Sequence, residues 1–213
     1  SDRDPFLQLD KAVASEPAGS GPLLYLPFLT GAMSPVSSAG MRGAFVNLSL
    51  ETTRTQMLRA ILEGVALHQR WARPAVEAFS GQEFREIAVS GGGAQSDAWV
   101  QILSDVHDRP MRQLEDPRQT NTRGNAFLTF NRLGLVGPDE IDRFRPIRRT
   151  YDPQTQHSKM YDELFEQFVA EGLAFSVEDH RHVLRVVVLD QFAQHGLSLI
   201  HISEPTRRYA ISY

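Results

Sequence analysis

The sequence predicts an α/β fold in which helices flank a sheet. Residues 87–106 have the pattern of a buried strand, a glycine turn and an amphipathic helix. The pattern then repeats, because a short strand at 110–114 is followed by a helix that Asn121 can cap. Strands that alternate with helices favour parallel pairing and right-handed crossovers, so we expect both here.

The composition limits the class of protein. With 213 residues, 41% hydrophobic and 23% charged, the chain can bury the core of one domain and carry a tail. A net charge of −4 gives no electrostatic case for nucleic acid, and no apolar run has the length of a membrane span. The absence of cysteine excludes disulfides and thiolate metal sites and is typical of a cytoplasmic protein. We therefore expect a cytoplasmic protein whose partners include neither nucleic acid nor a membrane.

The first part of the chain predicts a connector followed by two strands. A short helix around 6–13 gives way to prolines and glycines that break regular structure. The apolar run 23–29 predicts a buried strand, with Pro27 at its end or at an edge position. An irregular loop rich in glycine, serine and proline follows at 30–43, and a second strand is expected at 44–50.

A long helix is predicted from Thr52 or Thr53 to about Phe79, with Pro74 kinking or ending its first segment. Gly64 lies inside this helix. Glycine there costs about 1 kcal/mol relative to alanine, so we expect another backbone to pack closely against it. The neighbouring Glu63 either is solvated or faces a site, and the solvated interpretation is favoured.

The glycine turn, Gly91–Gly93, is the first candidate site. Glycines accept positive φ and let a ligand approach the backbone. Ser96 can cap the following helix, and Asp97 suits the positive end of the helix dipole. The free amides at such a helix start attract anions such as phosphate groups. A plain strand-to-helix connection without any ligand explains the same residues.

Two sharper phosphate motifs do not fit the turn. A P-loop requires a Lys-Ser/Thr pair after the glycines, and none is present. A dinucleotide fingerprint requires glycine where Ser96 stands. The dinucleotide alternative keeps one supporting residue, since Glu115 follows about 20 residues later, where a ribose-binding acid would lie.

The later segments predict structure rather than chemistry. The loop 137–153 contains an acidic cluster that we interpret as a solvated helix start, and 156–170 has the pattern of an amphipathic helix ending at Gly172. The cluster consists of Asp139, Glu140 and Asp142.

The tail from residue 173 differs in character. A metal site at His180 and His182 is not favoured, because no further ligands complete a shell. Residues from about 197 to 213 resemble the translation of sequencing-adapter DNA, so we expect them not to be native.

The order of motifs is more specific than any one of them. The residues that carry the resemblance are Leu26–Gly31, Ser34-Pro35, Met41–Phe45, Leu48, Arg59–Val65, Gly91–Ser96, Trp99–Leu103, Asp105-Val106 and Asn121–Ala126. In this order they resemble the C-terminal domain of the FGGY carbohydrate kinases, with xylulokinase-like members the best fit. The resemblance covers about residues 20–170.

The resemblance implies an actin-like, RNase H-like ATPase domain with a mixed sheet flanked by helices. It implies a kinase that uses ATP and Mg²⁺ to phosphorylate a sugar or polyol hydroxyl. The glycine turn would lie at the adenosine end of ATP. The nucleotide-binding residues carried over are Gly92, Gly93, Ala94, Ser96 and Asp97.

The same resemblance implies a domain organisation. Residues 1–22 become a connector from a missing N-terminal half, 23–172 the kinase C-terminal domain, and 173–213 an atypical tail. The sugar site, the first phosphate loop and the general base belong to the N-terminal domain of the family. We therefore expect no catalytic residue here, Mg²⁺ bound mainly through the missing half, and no activity of the fragment alone.

The sequence departs from the family pattern at two places, and two other functions stay open. Ala32 and Met33 stand where many relatives carry Glu-Arg, and Asn125 stands where alanine is common. Both departures weaken an assignment to xylulose. The first alternative is a Rossmann-type dinucleotide domain using Gly91, Gly93 and Glu115. The second is a non-catalytic interaction protein that kept the fold. The expected partners are the sugar or polyol and the chain's own N-terminal domain, and a homodimer is left open.

Overall fold

The computed structural model describes residues 5–177. Its helices are α1 (Pro5–Ser15), α2 (Arg54–Ser80), α3 (Asp97–His107), α4 (Thr120–Arg132) and α5 (Ser158–Val177). Its strands are β1 (Leu24–Leu26), β2 (Ala44–Val46), β3 (Ile87–Val89), β4 (Met111–Leu114) and β5 (Ile147–Tyr151). Within this part of the chain, no helix combines the length and apolarity needed to cross a membrane.

The main sheet has the order β3–β4–β5. β3 and β4 are parallel, with Ile87 opposite Met111, and α3 connects them. This confirms the predicted parallel pairing. β5 runs antiparallel to β4, with Tyr151 opposite Met111, so the sheet is mixed. Among the described residues β3 pairs on one side only, which leaves its other edge open.

β5 was not predicted, because the segment 137–153 was expected to be a loop throughout. Its three central residues are polar and exposed, so the strand carries no alternating apolar pattern. The acidic cluster upstream of it lies in a 3₁₀ segment, Pro138–Phe144, in which no residue is buried. This agrees with the prediction that the cluster is solvated.

β1 and β2 form a separate antiparallel pair that packs on α2. Both strands are shorter than predicted, and β1 ends before Pro27. A Cβ atom at Gly64 would overlap the carbonyl oxygen of Tyr25 on β1 and would lie 3.0 Å from its carbonyl carbon. The predicted close approach of a second backbone to Gly64 is confirmed.

α2 begins with a capping box. The Gln56 amide donates to the Thr53 hydroxyl at 3.2 Å, and the Thr53 amide donates to the Gln56 side chain at 2.9 Å. Pro74 lies inside the helix, which continues to Ser80 and ends at Gly81 with φ 68°. Of the two alternatives predicted for Pro74, an end of the first segment was therefore wrong, and a kink stays a prediction.

The remaining helix ends differ in detail from the sequence prediction. α4 begins at Thr120 with Gln119 in the capping position, so Asn121 is not its cap. α5 continues past Gly172, which is buried and whose Cβ would meet the Trp71 ring at 3.3 Å. Gly172 is therefore a close packing position rather than a helix end.

One core joins α1, α2, α3, α5 and both sheets. Its fully buried members include Val13, Leu26, Leu67, Val100, Val106, Tyr161 and Phe168. Val13 belongs to α1, so part of the segment expected as a connector packs on the core. The domain boundaries themselves stay predictions, and His180, His182 and the adapter-like segment lie outside the described residues.

Glu63 is 1% exposed, so the favoured prediction that it is solvated was wrong. Its carboxylate accepts four hydrogen bonds from three parts of the chain. The donors are the Gly19 amide at 2.9 Å, the Ser20 hydroxyl at 2.7 Å, Arg59 Nε at 2.7 Å and the Tyr161 hydroxyl at 2.8 Å. Burial and the nearby Glu63 carboxylate raise the pKa of Tyr161 above its ordinary value. We call these groups the Glu63 network; it joins the turn after α1 to α2 and α5.

Candidate functional site

The candidate site lies at the carboxyl edge of the two parallel strands. The glycine turn follows β3, and a second loop, in which Asp116 has φ 41°, follows β4. The Gly91 amide donates to the Pro117 carbonyl at 2.9 Å and so joins the two loops. Ligands of α/β proteins bind outside the carboxyl ends of parallel strands, so a ligand site is expected at this edge.

The glycine turn is tight and exposed. Gly91 has φ 91°, a conformation that favours glycine, and Gly93–Gln95 form one 3₁₀ turn. The turn is closed by hydrogen bonds from the Ala94 amide to Gly91 O at 3.3 Å and from the Ser96 amide to Gly93 O at 3.1 Å. No described residue accepts a hydrogen bond from the amides of Gly92 or Gly93. A Cβ at Gly92 would meet only open space, so a ligand can approach there.

Ser96 caps α3 as predicted. Its hydroxyl accepts a hydrogen bond from the Trp99 amide at 2.9 Å and donates one to the Asp10 carboxylate on α1. Asp97 follows in the first turn of α3, where the helix dipole favours a negative charge. Because its one proton is donated to Asp10, the Ser96 hydroxyl has none left to donate to a ligand. It stabilises the turn and the start of α3 instead.

Gln113 on β4 supports the turn from below and was missed by the sequence analysis. It is fully buried, and its Nε2 donates to Ala94 O at 2.8 Å and to Asp97 Oδ1 at 3.1 Å. Because buried polar groups need partners, a glutamine among the apolar residues of a short strand was a usable signal.

The Asp97 carboxyl is ionised more readily than an ordinary aspartate. Partial burial opposes ionisation, but hydrogen bonds from Tyr151 and Gln113 and the charges of Arg148 and Arg149 outweigh it and lower the pKa. Arg148 Nη1 lies 3.4 Å from Asp97 Oδ1. The Asp97 carboxylate is therefore negatively charged at neutral pH, and it already binds Gln113 of β4 and Arg148 of β5.

These contacts divide the five predicted nucleotide-binding residues into two groups. Gly92 and Gly93 are exposed and offer free amides. Ala94 is 1% exposed, and Ser96 and Asp97 are occupied by neighbouring side chains. The structure brings all five together at the carboxyl edge, but only the two glycines present an open face.

A cavity of about 360 Å³ runs beside the turn along β3. Ser90, Gly93, Trp99 and His107 are among its lining residues. His107 is 5% exposed, and neither ring nitrogen has a described partner. Burial, with smaller contributions from Arg73 and Arg70, lowers the pKa of His107 to about 4, so the ring is neutral at neutral pH.

The described residues contain no preformed cluster of metal ligands. Among residues 5–177 no group of three or more histidine, aspartate or glutamate side chains could hold a metal ion. Mg²⁺ prefers carboxylates together with substrate phosphates, whereas the glycine turn offers amides. No step of a reaction is therefore assigned to a metal held by this part of the chain.

Comparison with known proteins identifies the family. The model of the FGGY family of carbohydrate kinases, C-terminal domain, matches residues 2–131, more than half of the chain. The chain belongs to the FGGY family. The predicted resemblance is confirmed, and the alternative of a dinucleotide-binding domain finds no support.

Several of the FGGY relatives are xylulose kinases of bacteria. The chain is 25% identical over 171 residues to the enzyme of Staphylococcus epidermidis, with 79% of this chain and 34% of that protein covered. For the Bacillus subtilis enzyme the identity is 29% over 169 residues, with 76% and 33% covered. The crystal structure of ligand-bound xylulose kinase from Lactobacillus acidophilus is similar with a TM-score of 0.71 and 26% identity, covering 81% of this chain and 35% of that one.

These comparisons confirm the predicted fold class, the actin-like ATPase fold with a mixed sheet and flanking helices. The chain spans about a third of the length of the FGGY relatives it matches.

Proposed function

We propose that this chain is the nucleotide-binding C-terminal domain of an ATP-dependent carbohydrate kinase. The observation that carries the proposal is the exposed glycine turn, with two free amides at the carboxyl edge of parallel strands, in a chain of the FGGY family. Kinases of this family use ATP. The turn, with Gly92, Gly93, Ala94, Ser96 and Asp97, is the place proposed for the adenosine end.

The contacts suggest separate roles for these residues. Backbone without side chains at Gly92 and Gly93 lets a flat base or a ribose come close, and their amides can donate hydrogen bonds. Ala94, Ser96 and Asp97 hold the turn in shape through Gln113, Asp10 and the start of α3. The ligand contacts are therefore made mainly by backbone atoms.

The proposed reaction transfers the γ-phosphoryl group of ATP to a hydroxyl of a sugar or polyol. Such transfer depends on positioning and on neutralising charge, which requires groups on both sides of the phosphates. Residues 5–177 would supply one side. The general base, most of the sugar contacts and most of the Mg²⁺ contacts are assigned to an N-terminal domain of a longer polypeptide, the proposed partner of this domain.

Two further expectations concern the protein as a whole. The lack of cysteine supports a place in the cytoplasm. The proposed acceptor is a hydroxyl of the sugar and polyol class, because the names of the relatives include xylulose, gluconate and glycerol kinases.

Binding is tested by an NMR titration of the ¹⁵N-labelled chain with ATP, and with NAD⁺ for comparison. We expect weak binding of ATP, because the opposing phosphate contacts are absent, with shifts concentrated at the Gly92 and Gly93 amides. Equal or tighter binding of NAD⁺ at the turn would contradict the proposal. Sugar-dependent release of ADP by this chain alone would contradict the division of labour between domains.

Gly92→Leu sharpens the test. Gly92 has φ −61° and ψ −42°, a conformation open to any residue, and nothing lies within 4 Å of its Cβ position. The variant should fold normally and lose the ATP-dependent shifts, because the side chain fills the space proposed for the ligand. Gly40→Leu is the matched control: its Cβ would meet only the Ser38 hydroxyl, at 3.9 Å. Retained binding by Gly92→Leu would overturn the assignment of the turn.

A further inference from the structure

Asp10 connects α1 to the start of α3, directly after the glycine turn. Asp10, half-buried on α1, accepts a hydrogen bond from the Ser96 hydroxyl. A serine hydroxyl has one proton to donate, and giving it to Asp10 leaves the lone pairs of the oxygen for the Trp99 amide. The direction of the cap is therefore set by a residue far away in the sequence.

α1 is itself held firmly near its other end. Val13 is fully buried, and Arg59 Nη1 donates to the carbonyls of Val13 at 3.1 Å and Glu16 at 2.9 Å. Just beyond, the Gly19 amide donates to Glu63 within the Glu63 network. Asp10 therefore lies on a helix that is fixed to α2. Its hydrogen bond with Ser96 fixes the start of α3 relative to that helix.

The turn depends on the position of Ser96 in two ways. The Ser96 amide closes the 3₁₀ turn by donating to Gly93 O at 3.1 Å, while its hydroxyl caps Trp99. The indole of Trp99 in turn lies 3.2 Å from the place that a Cβ of Gly93 would occupy. A displacement of Ser96 would therefore shift Trp99 and the exposed amide of Gly93 as well.

We infer that Asp10 is a positioning residue for the glycine turn. By accepting the Ser96 hydroxyl proton it holds the cap, the Trp99 indole and the free amides of Gly92 and Gly93 in one arrangement. Ordering the turn before a ligand arrives lowers the entropy lost on binding. The effect on nucleotide rests on the proposed function, whereas the effect on the turn does not.

Asp10→Ala tests the positioning directly by hydrogen exchange. The Trp99 amide should exchange about five to ten times faster, because its capping acceptor is no longer held in place. The rate is compared with that of the Val106 amide in the core, so that a general loss of stability, which would speed both, is separated from a local one. Asp10→Asn keeps an acceptor for the hydroxyl and should restore slow exchange at Trp99.

Fluorescence supplies a second readout. The chain has two tryptophans, so Trp71→Phe leaves Trp99 as the reporter. In that background Asp10→Ala should shift the Trp99 emission and Asp10→Asn should not. Ser15→Ala is the matched control: it lies on the same helix, its hydroxyl donates to Ala12 O, and it should leave the emission unchanged.

The outcomes separate the two proposals. An unchanged Trp99 exchange ratio and emission in Asp10→Ala overturn the positioning role of Asp10. If both change and the affinity for ATP falls severalfold, with recovery in Asp10→Asn, the positioning role and its link to nucleotide are supported. If the Trp99 exchange ratio and emission change in Asp10→Ala while neither the parent chain nor the variant binds ATP, the positioning role stands and the proposed function fails.

Discussion

Replacing Gly64 by alanine tests how closely β1 lies against α2. Taken alone, alanine should stabilise a helix interior by about 1 kcal/mol relative to glycine. Here the added Cβ would overlap the Tyr25 carbonyl oxygen and approach its carbonyl carbon to 3.0 Å and its Cβ to 3.2 Å. Most of these neighbours are backbone atoms, which cannot turn aside as a long side chain can.

Relief requires β1 to move as a unit, and β1 is not free to do so. Leu24 and Leu26 are each at most 3% exposed, and the strand is paired with β2. Forcing extra volume into a packed core typically costs about 1–3 kcal/mol. Because the overlap is with backbone atoms, we place the cost in the upper part of that range, at about 2–3 kcal/mol. After the gain in helix propensity of about 1 kcal/mol, we expect Gly64→Ala to be destabilised by about 1–2 kcal/mol overall.

Gly124→Ala is the matched control. Gly124 also lies inside an α-helix, α4, but nothing stands within 4 Å of its Cβ position. This variant should be stabilised by up to about 1 kcal/mol. The two substitutions are chemically identical, so their opposite signs would report the close approach alone.

The assay is urea unfolding followed by far-ultraviolet circular dichroism. With a slope of about 2 kcal/mol per molar urea, the midpoint of Gly64→Ala should fall by about 0.5–1 M, and that of Gly124→Ala should rise. A midpoint of Gly64→Ala at or above that of the parent protein would refute the reasoning.

Two further predictions use the same unfolding assay. Tyr161→Phe removes one donor to Glu63 and should lower the free energy of unfolding by about 1 kcal/mol. Glu63→Ala leaves the charge of Arg59 buried without its partner and should lower it by about 3–5 kcal/mol. The reverse order of midpoints would count against the Glu63 network. The pKa of His107 is about 4 in the folded protein, against 6.5 for an ordinary histidine. As the pH falls, the unfolded chain therefore takes up the proton first, and stability is lost between pH 6.5 and pH 4. The loss should be about 2 kcal/mol at pH 5. His107→Phe should remove that part of the pH dependence, and an unchanged slope between pH 7 and pH 5 would show that His107 is not its source.

The features that the sequence predicted well are those decided by neighbouring residues. The strand, turn and helix around Gly91–Gly93 depend on glycine conformation and on the Ser96 cap, both of which act within a few residues. Gly64 was informative because glycine inside a helix is unfavourable without a reason such as close packing. The ordered motifs then identified the family, although they did not reveal Gln113 or Asp10.

The features that were mispredicted depend on distant partners. Glu63 looks solvated on its own helix, and it is buried only because Gly19, Ser20 and Tyr161 converge on it. Gly172 has the pattern of a helix end until Trp71 packs against it. β5 exists because β4 offers an edge, and its own polar residues give no sign of a strand.

The open edge of β3 has a practical consequence for any preparation of this chain. Ile87 and Val89 face β4, as the Ile87 amide shows by donating to Pro110 O at 3.0 Å. In a parallel ladder the residue between them, Ala88, turns its main-chain groups the other way, where the described residues provide no strand. Such an edge recruits strands from other molecules, so aggregation is expected to begin at β3 and to increase with protein concentration.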